Sequence, residues 1–368
     1  MRLLYITNQI CGSGGLERVL SIKASYLADK FDYTVHIVTL NQKDTPLFYD
    51  FSKKIRFYDL TVEGNIFEYY KSYKNKIKAL VNQLNPDIIS VCDDGLKGFF
   101  VPKIVHKPCI MIYERHASKN IFKKTDTPSI LQKIKYKVID IMMHYGAKNY
   151  DAFVVLTNYN LDEWNLNNLT VIANPLSFYP KAQSKVNHKK VITVGNHGFQ
   201  KGLDRLLQIW KRVSGKFPEW KLDVYGKIDE NETYLKLAKK LNIDSSVNFH
   251  NPVKNIGDKY QEASIYSMTS RSEGFGMVLI EGMAYGLPCI SFDCPSGPRD
   301  IIDDKENGFL ISNGDIEAYT NKLILLIENN SLRLQMGDKA REKAKKYLPE
   351  NIVPQWNMLF KTLINNNL

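Results

Sequence analysis

The chain is predicted to be an α/β protein of two Rossmann-like domains, each a doubly wound parallel sheet wrapped by helices. Short apolar runs alternate with longer segments of helical period, the pattern of strands joined by helical crossovers. The series restarts near residue 191 after a polar, proline-bearing stretch, 174–190. The 368 residues also exceed what one ordinary core serves.

In the first series, strands are expected at 2–8, 34–40, 54–60, 87–92, 109–114 and 152–157, with helical patterns such as 16–30 and 65–84 between them. In the second, strands are expected at 191–196, 221–226, 247–250, 264–269 and 288–293. Helices are expected at 201–217, from about 277 to 285, at 315–328 and at 331–347. The stretch 174–190 reads as the linker. The expected division is 1–177 and 178–350, with a last helix over 351–368 returning to the first domain; Pro349 and Pro354 are expected to mark the bend before and at its start. In such folds ligands bind beyond the carboxyl ends of the strands, here expected at the cleft between the domains.

Composition narrows the class. The five cysteines are scattered and without metal-ligand spacing, which reads as reduced thiols in a cytoplasmic protein with no zinc site. The amino terminus is too short an apolar run for a signal peptide. No window reaches the length of a membrane span. A formal charge of +11 points to an anionic partner, and the lack of any nucleic-acid motif turns that away from DNA and RNA.

Four strand-to-helix turns carry the chemistry. At 264–285 a strand runs into Arg271–Gly276 and then a helix, with Glu273 before the turn and Glu281 inside the helix. Gly274 and Gly276 let the backbone approach a ligand, and the helix start suits a phosphate. A carboxylate accepts two hydroxyl hydrogen bonds, so each acid suits a vicinal diol. A nucleotide sugar, two sugars flanking a diphosphate, fits that pattern; a helix start with favourable acids fits it equally. The first strand ends in Cys11-Gly12-Ser13-Gly14-Gly15, where Gly14 and Gly15 permit close approach to a phosphate or sugar; the spacing is not that of a dinucleotide site. The turn after 191–196 ends at Lys201-Gly202, where an ammonium can meet a diphosphate or simply be solvated. The strand 109–114 ends in Glu114, Arg115 and His116, expected to point into the cleft.

Taken together these motifs resemble the retaining glycosyltransferases of family 4, with the two-domain GT-B fold. The residues that carry the likeness are Gly14-Gly15-Leu16-Glu17-Arg18, His116, Asn174-Pro175, Val194-Gly195 with Lys201-Gly202, and Glu273 through Glu281. The run "AYGLPCISFDCPSGPRDII" and "NGFLI" follow in the right order. The resemblance implies that Glu281 holds the nucleotide ribose and Glu273 the donor-sugar hydroxyls. Backbone amides around Phe275, Gly276 and Met277 would meet the sugar and phosphates, and Gly14 and Gly15 would approach the diphosphate from the first domain. His116 would lie beside the donor sugar, and Lys201 would neutralise the leaving diphosphate. Glu273, His116 and Lys201 are the expected catalytic set. It further implies retention of anomeric configuration, no metal and no cofactor beyond the nucleotide sugar, UDP being favoured, and an acceptor that is a glycan or lipid-linked precursor of lipopolysaccharide, capsule or another surface polysaccharide. Base recognition is implied around His250–Lys254. Asn196 stands where the family usually has an arginine, so one diphosphate contact is lost or moved; Arg271 and Arg299 are candidates to replace it. Asp93-Asp94 reads as a structural or acceptor-side turn and not as a metal site. The alternatives are a catalytically silent sugar-nucleotide-binding or scaffold subunit, and another GT-B enzyme such as a sugar-nucleotide epimerase.

The positive charge is concentrated. Residues 97–148 hold eleven Lys and Arg against three acids, a net of +8. Within them Ile130, Leu131, Ile134, Val138, Ile141, Met142 and Tyr145 share one helical face, and Lys133, Lys135 and Lys137 another. The stretch from Lys71 to Lys78 repeats the theme. Such a helix either packs on the core with its cations in water or lies on an anionic membrane. The second reading places the protein at the inner face of the plasma membrane as a peripheral protein.

Overall fold

The structure, a computed structural model, describes residues 1–123, 125 and 127–366. It divides into two compact units, Met1–Ala117 with Thr127–Ser177 and Pro349–Leu368, and Ser118–Asp126 with Phe178–Leu348.

The first unit is built on seven parallel strands: β1 (Arg2–Ile6), β2 (Thr34–Leu40), β3 (Arg56–Leu60), β4 (Ile88–Val91), β5 (Ile110–Glu114), β6 (Ala152–Val155) and β7 (Leu169–Val171). Their order is β3-β2-β1-β4-β5-β6-β7, so the order reverses between β1 and β4, where Ile6 lies opposite both Val38 and Val91. β1 from Leu3 onward, β4 and β5 are buried on both faces, which is why they read as mainly apolar runs. β7 has three half-buried residues, too few to register as a period.

The second unit has six parallel strands: β8 (Lys190–Val194), β9 (Lys221–Tyr225), β10 (Val247–His250), β11 (Ile265–Met268), β12 (Cys289–Asp293) and β13 (Gly308–Ser312). Their order, β10-β9-β8-β11-β12-β13, reverses between β8 and β11. Trp210 of the Leu203–Lys216 helix and Tyr319 of the Ile316–Glu328 helix are fully buried in the core they share with Leu222, Ile265 and Phe292. These are two doubly wound α/β folds, as the alternation of apolar runs and helical segments predicts.

Two expectations need correction, and one of two open readings is not met. The last helix spans Pro349–Asn365 and contains Pro354; residues 367 and 368 of the expected range lie outside the described residues. Pro354 removes one backbone donor, but Ile352, Val353, Trp356 and Phe360 are buried and hold the helix through it. The stretch 174–190 is not a free linker. Within it Ser184 donates its amide to Tyr285 O (2.8 Å) and its hydroxyl to Ala263 O (2.6 Å), and Arg333 donates to Val186 O (3.0 Å), so 178–186 is a fixed part of the second unit. Finally, the Ile130–Ala147 helix does not pack its apolar face on a core. Only Met143, Gly146 and Ala147 are buried, while Ile130 and Leu131 are 76% and 79% exposed, and Ile134, Val138, Ile141, Met142 and Tyr145 are exposed too.

Candidate functional site

The reversal of strand order in the second unit brings together the loops that leave β8 and β11, the place where open α/β sheets bind ligands. Lys201 leaves β8 and Glu273 leaves β11, 72 residues later. The Lys201 ammonium donates to both oxygens of Glu273, at 2.8 and 3.0 Å. The Ser270 hydroxyl donates to Oε1 of the same carboxylate (2.5 Å), and the Glu273 amide to Pro295 O (3.1 Å). Glu273 is 8% exposed, so the carboxylate is fixed by cation, hydroxyl and backbone together.

Two glycines make the junction. Gly202 has φ +63°, and a Cβ there would stand 2.1 Å from Thr269 O; the Thr269 hydroxyl donates to Gly202 O (3.0 Å). Gly276 has φ +96° and opens the Met277–Ala284 helix with no side-chain cap. A helix start without a side-chain cap leaves its amides and its partial positive charge for an anion. Phe275 and Met277 are buried beside it.

Glu281, four residues into that helix, is fully buried and accepts the Tyr260 hydroxyl at Oε2 (3.1 Å). Tyr260 comes from the short Gly257–Gln261 helix and carried no signal in the sequence, since a lone tyrosine on a helix reads as core. Asn196 accepts the Lys227 amide at Oδ1 (3.1 Å), bracing the loops after β8 and β9. The two arginines considered as replacements are committed elsewhere. Arg271 makes a bidentate pair with Asp204, both contacts 2.8 Å, and Arg299 pairs with Asp293. Burial would raise the Asp204 carboxyl, but the Arg271 guanidinium outweighs it and holds it below the usual range. His197, next to Asn196, is buried with neither ring nitrogen hydrogen-bonded, and burial lowers its pKa despite Asp229 nearby. His250 stacks on Tyr225, ring centroids 4.4 Å apart.

The corresponding reversal in the first unit gathers the loops after β1 and β4. Gly14 precedes the Gly15–Lys30 helix, and Glu17 folds back so closely that a Cβ on Gly12 or Gly14 would come 2.5 Å from its carboxylate. Burial raises the Glu17 carboxyl, while His116 acts in the opposite sense. Asp93 accepts from Asn8 (2.7 Å) and from the Gly95 amide (2.8 Å), and Asp94 from Arg115 and the Ala117 amide (both 3.2 Å). The pair therefore shapes its own turn and the segment after β5.

Of the three residues at the end of β5, Glu114 and Arg115 turn inward, being 0% and 2% exposed. Arg115 reaches Asp94 and lies over the rings of Phe99 and Trp164. Glu114 takes the Lys23 ammonium and His116 Nε2 (3.0 Å) at Oε2, and the Ser90 hydroxyl (2.5 Å) at Oε1. Lys23 was missed because it sits on the buried stripe of its helix, where only apolar residues are expected. Cys92, Glu114 and His116 lie within metal-ligand distance of one another. The ammonium on the carboxylate, and a thiol whose pKa burial raises well above its usual value, suit a neutralised ion pair better than a cation site.

The family model "Glycosyl transferases group 1" matches residues 178–343. An uncharacterized glycosyltransferase of Haemophilus influenzae is 32% identical over 96% of this chain and 97% of its own. The amylovoran biosynthesis glycosyltransferase AmsD of Erwinia amylovora is 29% identical over 97% and 98%. Among solved structures, a variant of S. aureus TarM in complex with fondaparinux, alpha-GlcNAc-glycerol and UDP superposes with a TM-score of 0.75 at 18% identity, covering 98% of this chain and 99% of that one.

Proposed function

This chain belongs to the group 1 glycosyltransferases, and on that premise we propose that it moves a sugar from a nucleotide-diphosphate sugar, UDP-linked by preference, to a glycan or lipid-linked acceptor in surface polysaccharide synthesis. The observation that carries the reading is the Lys201–Glu273 pair beside the uncapped start of the Met277–Ala284 helix. The helix start and Lys201 receive the diphosphate, with the amides around Phe275, Gly276 and Met277 nearest it. Lys201 then balances the charge that develops on the leaving group. Glu273 accepts hydroxyls of the donor sugar, and Glu281, held by Tyr260, accepts the ribose diol. In the first unit Gly14 and Gly15 serve the diphosphate, and His116 serves the transferred sugar. The anomeric configuration is retained by a front-face route in which the leaving phosphate helps deprotonate the acceptor. No metal takes part, since the lysine and the helix supply the positive charge. The UDP held by TarM and the polysaccharide named for AmsD support the donor and the pathway class.

The partner at the other end of the reaction is a lipid surface. Seven exposed apolar side chains on the Ile130–Ala147 helix stand beside the exposed Lys133, Lys135 and Lys137, and Ile66 and Phe67 are each 85% exposed. No helix among the described residues is long and apolar enough to cross a membrane. Peripheral docking on an anionic leaflet covers that stripe and matches its charge. Vesicles of phosphatidylglycerol are expected to bind the protein at low salt, and failure to do so would exclude this partner.

Titration calorimetry of UDP, GDP and ADP in EDTA tests the donor site. Preference for one nucleotide, weakened at least tenfold in Glu281→Ala, is the expected result. One observation favours the silent-subunit reading, that Asn196 is engaged with the Lys227 amide. Binding without transfer to any extracted glycan or lipid acceptor would put that reading first.

A further inference from the structure

The buried ion pair of the first unit has a consequence for His116. Glu114 is ringed by donors: the Lys23 ammonium and the Ser90 hydroxyl give it hydrogens. Lys23 is itself enclosed, with its ammonium 3.8 Å from the centroid of Trp356 and 5.1 Å from that of Tyr5. Trp356 lies on the last helix, so the carboxyl end of the chain seals the cation that neutralises Glu114. Burial alone would raise the Glu114 carboxyl, but Lys23 and then His116 outweigh it and hold it down at about 2. An ionised carboxylate has no hydrogen to give, so the contact to His116 Nε2 (3.0 Å) needs the hydrogen on the ring. The His116 side chain is 5% exposed, and its Nδ1 is buried without a hydrogen-bond partner. With Nε2 protonated and the ring neutral, Nδ1 carries a lone pair that nothing described in the protein satisfies.

We propose that Lys23, Glu114 and Trp356 are positioning residues that fix His116 as its Nε2–H tautomer, so that Nδ1 accepts a hydrogen bond from a hydroxyl of the sugar being transferred. The groups acting on the imidazole are Glu114 and Lys23, Glu17 from the turn after β1, and the Cys92 thiol at the end of β4. The Lys23 ammonium sits on the Glu114 carboxylate, and in the Nε2–H tautomer Nδ1 is an acceptor. The sugar-binding half of this proposal rests on the glycosyltransfer reading above. The tautomer half does not.

The test is ¹⁵N NMR of histidine-labelled full chain at neutral pH, the His116 signals assigned by their loss in His116→Gln. The wild type is expected to show Nε2–H. Glu114→Leu, which takes the acceptor away from Nε2, is expected to let the ring redistribute towards Nδ1–H, whereas Glu114→Gln is expected to keep Nε2–H, because Lys23 holds an oxygen at the Oε2 position and that oxygen accepts from the ring as well. In Glu114→Leu UDP affinity is expected to stay within twofold while kcat falls at least tenfold and its pH profile shifts. Wild-type Nδ1–H, or an unchanged tautomer in Glu114→Leu, would overturn the relay. If Glu114→Leu does not fold, the wild-type tautomer still decides, together with Trp356→Leu, which is expected to broaden or shift the His116 signals. UDP-glucose and UDP-GlcNAc are then compared with UDP. A shift of Nδ1 with a sugar nucleotide and not with UDP carries the acceptor role, and identical spectra would overturn it. Loss of transfer with every donor, with the tautomers as expected, would refute the glycosyltransfer reading and leave the relay standing.

Discussion

Lys201 and Glu273 are paired at 2.8 Å, and each is set up to do more than neutralise the other. Lys201→Ala is expected to weaken UDP at least tenfold, about 1.4 kcal/mol, because a point charge on the diphosphate is lost. Glu273→Gln is expected to spare UDP affinity and lower kcat, since the proposed reading gives it the hydroxyls of the sugar. Calorimetry beside initial rates separates the two. Two other residues contribute to the acid limit of stability. Glu114 has a folded pKa of about 2, below its ordinary value. Its contribution is therefore present above that ordinary value and is lost as pH falls from about 5 towards 2, worth roughly 3 kcal/mol in all. His197 has a folded pKa below that of the free side chain. The unfolded chain takes up its proton first as pH falls through about 6.5, which destabilises the fold from there downward. His197→Leu removes two unsatisfied nitrogens from the contact with Tyr234 and Phe249. It is expected to flatten the fall in Tm between pH 7 and 5, read by calorimetric scans.

At the scale of elements, the junction of the loops after β8 and β11 depends on Gly202. An added Cβ meets Thr269 O at 2.1 Å, in a conformation that side chains rarely adopt. Gly202→Ala is expected to cost more than about 1 kcal/mol and to weaken UDP as well, because Lys201 is carried on the same turn. The Ile130–Ala147 helix makes the opposite prediction. Ile134 and Ile141 are 55% and 59% exposed. Ile134→Glu with Ile141→Glu is expected to leave Tm within a degree or two and to abolish vesicle binding, as measured by flotation. A helix packed on a core would instead lose several kcal/mol to the same pair of changes.

At the scale of the molecule, the chain finishes the first unit with its last helix. Val353, Trp356 and Phe360 are buried there, and Tyr33 donates to Asn357 (2.7 Å). Trp356→Ala is expected to destabilise the first unit by about 3–5 kcal/mol. The second unit does not contain this helix, so its own transition is expected to stay in place. A calorimetric scan that splits into two transitions, with only one moved, checks this; a single transition shifted as a whole would count against it.

Sequence alone determined the class of the protein. Strands buried on both faces appear as apolar runs, helices as a period near 3.6, and glycine turns as composition; all are local properties of the chain, so both sheets apart from their edge strands β7 and β13, and the turns around Gly14, Lys201 and Gly276, were legible. Only the fold decided what those turns face. Lys201 and Glu273 are 72 residues apart, and Lys23 and Glu114 are 91 apart. Contacts at that separation arise from strand order, which no local pattern encodes. A lysine in an apolar stripe gives no sign of its partner, and only the fold brings Glu114 to it as a counter-charge. Periodicity showed that the Ile130–Ala147 helix has an apolar side, but whether a core covers that side depends on the elements packed around it, and none among the described residues does.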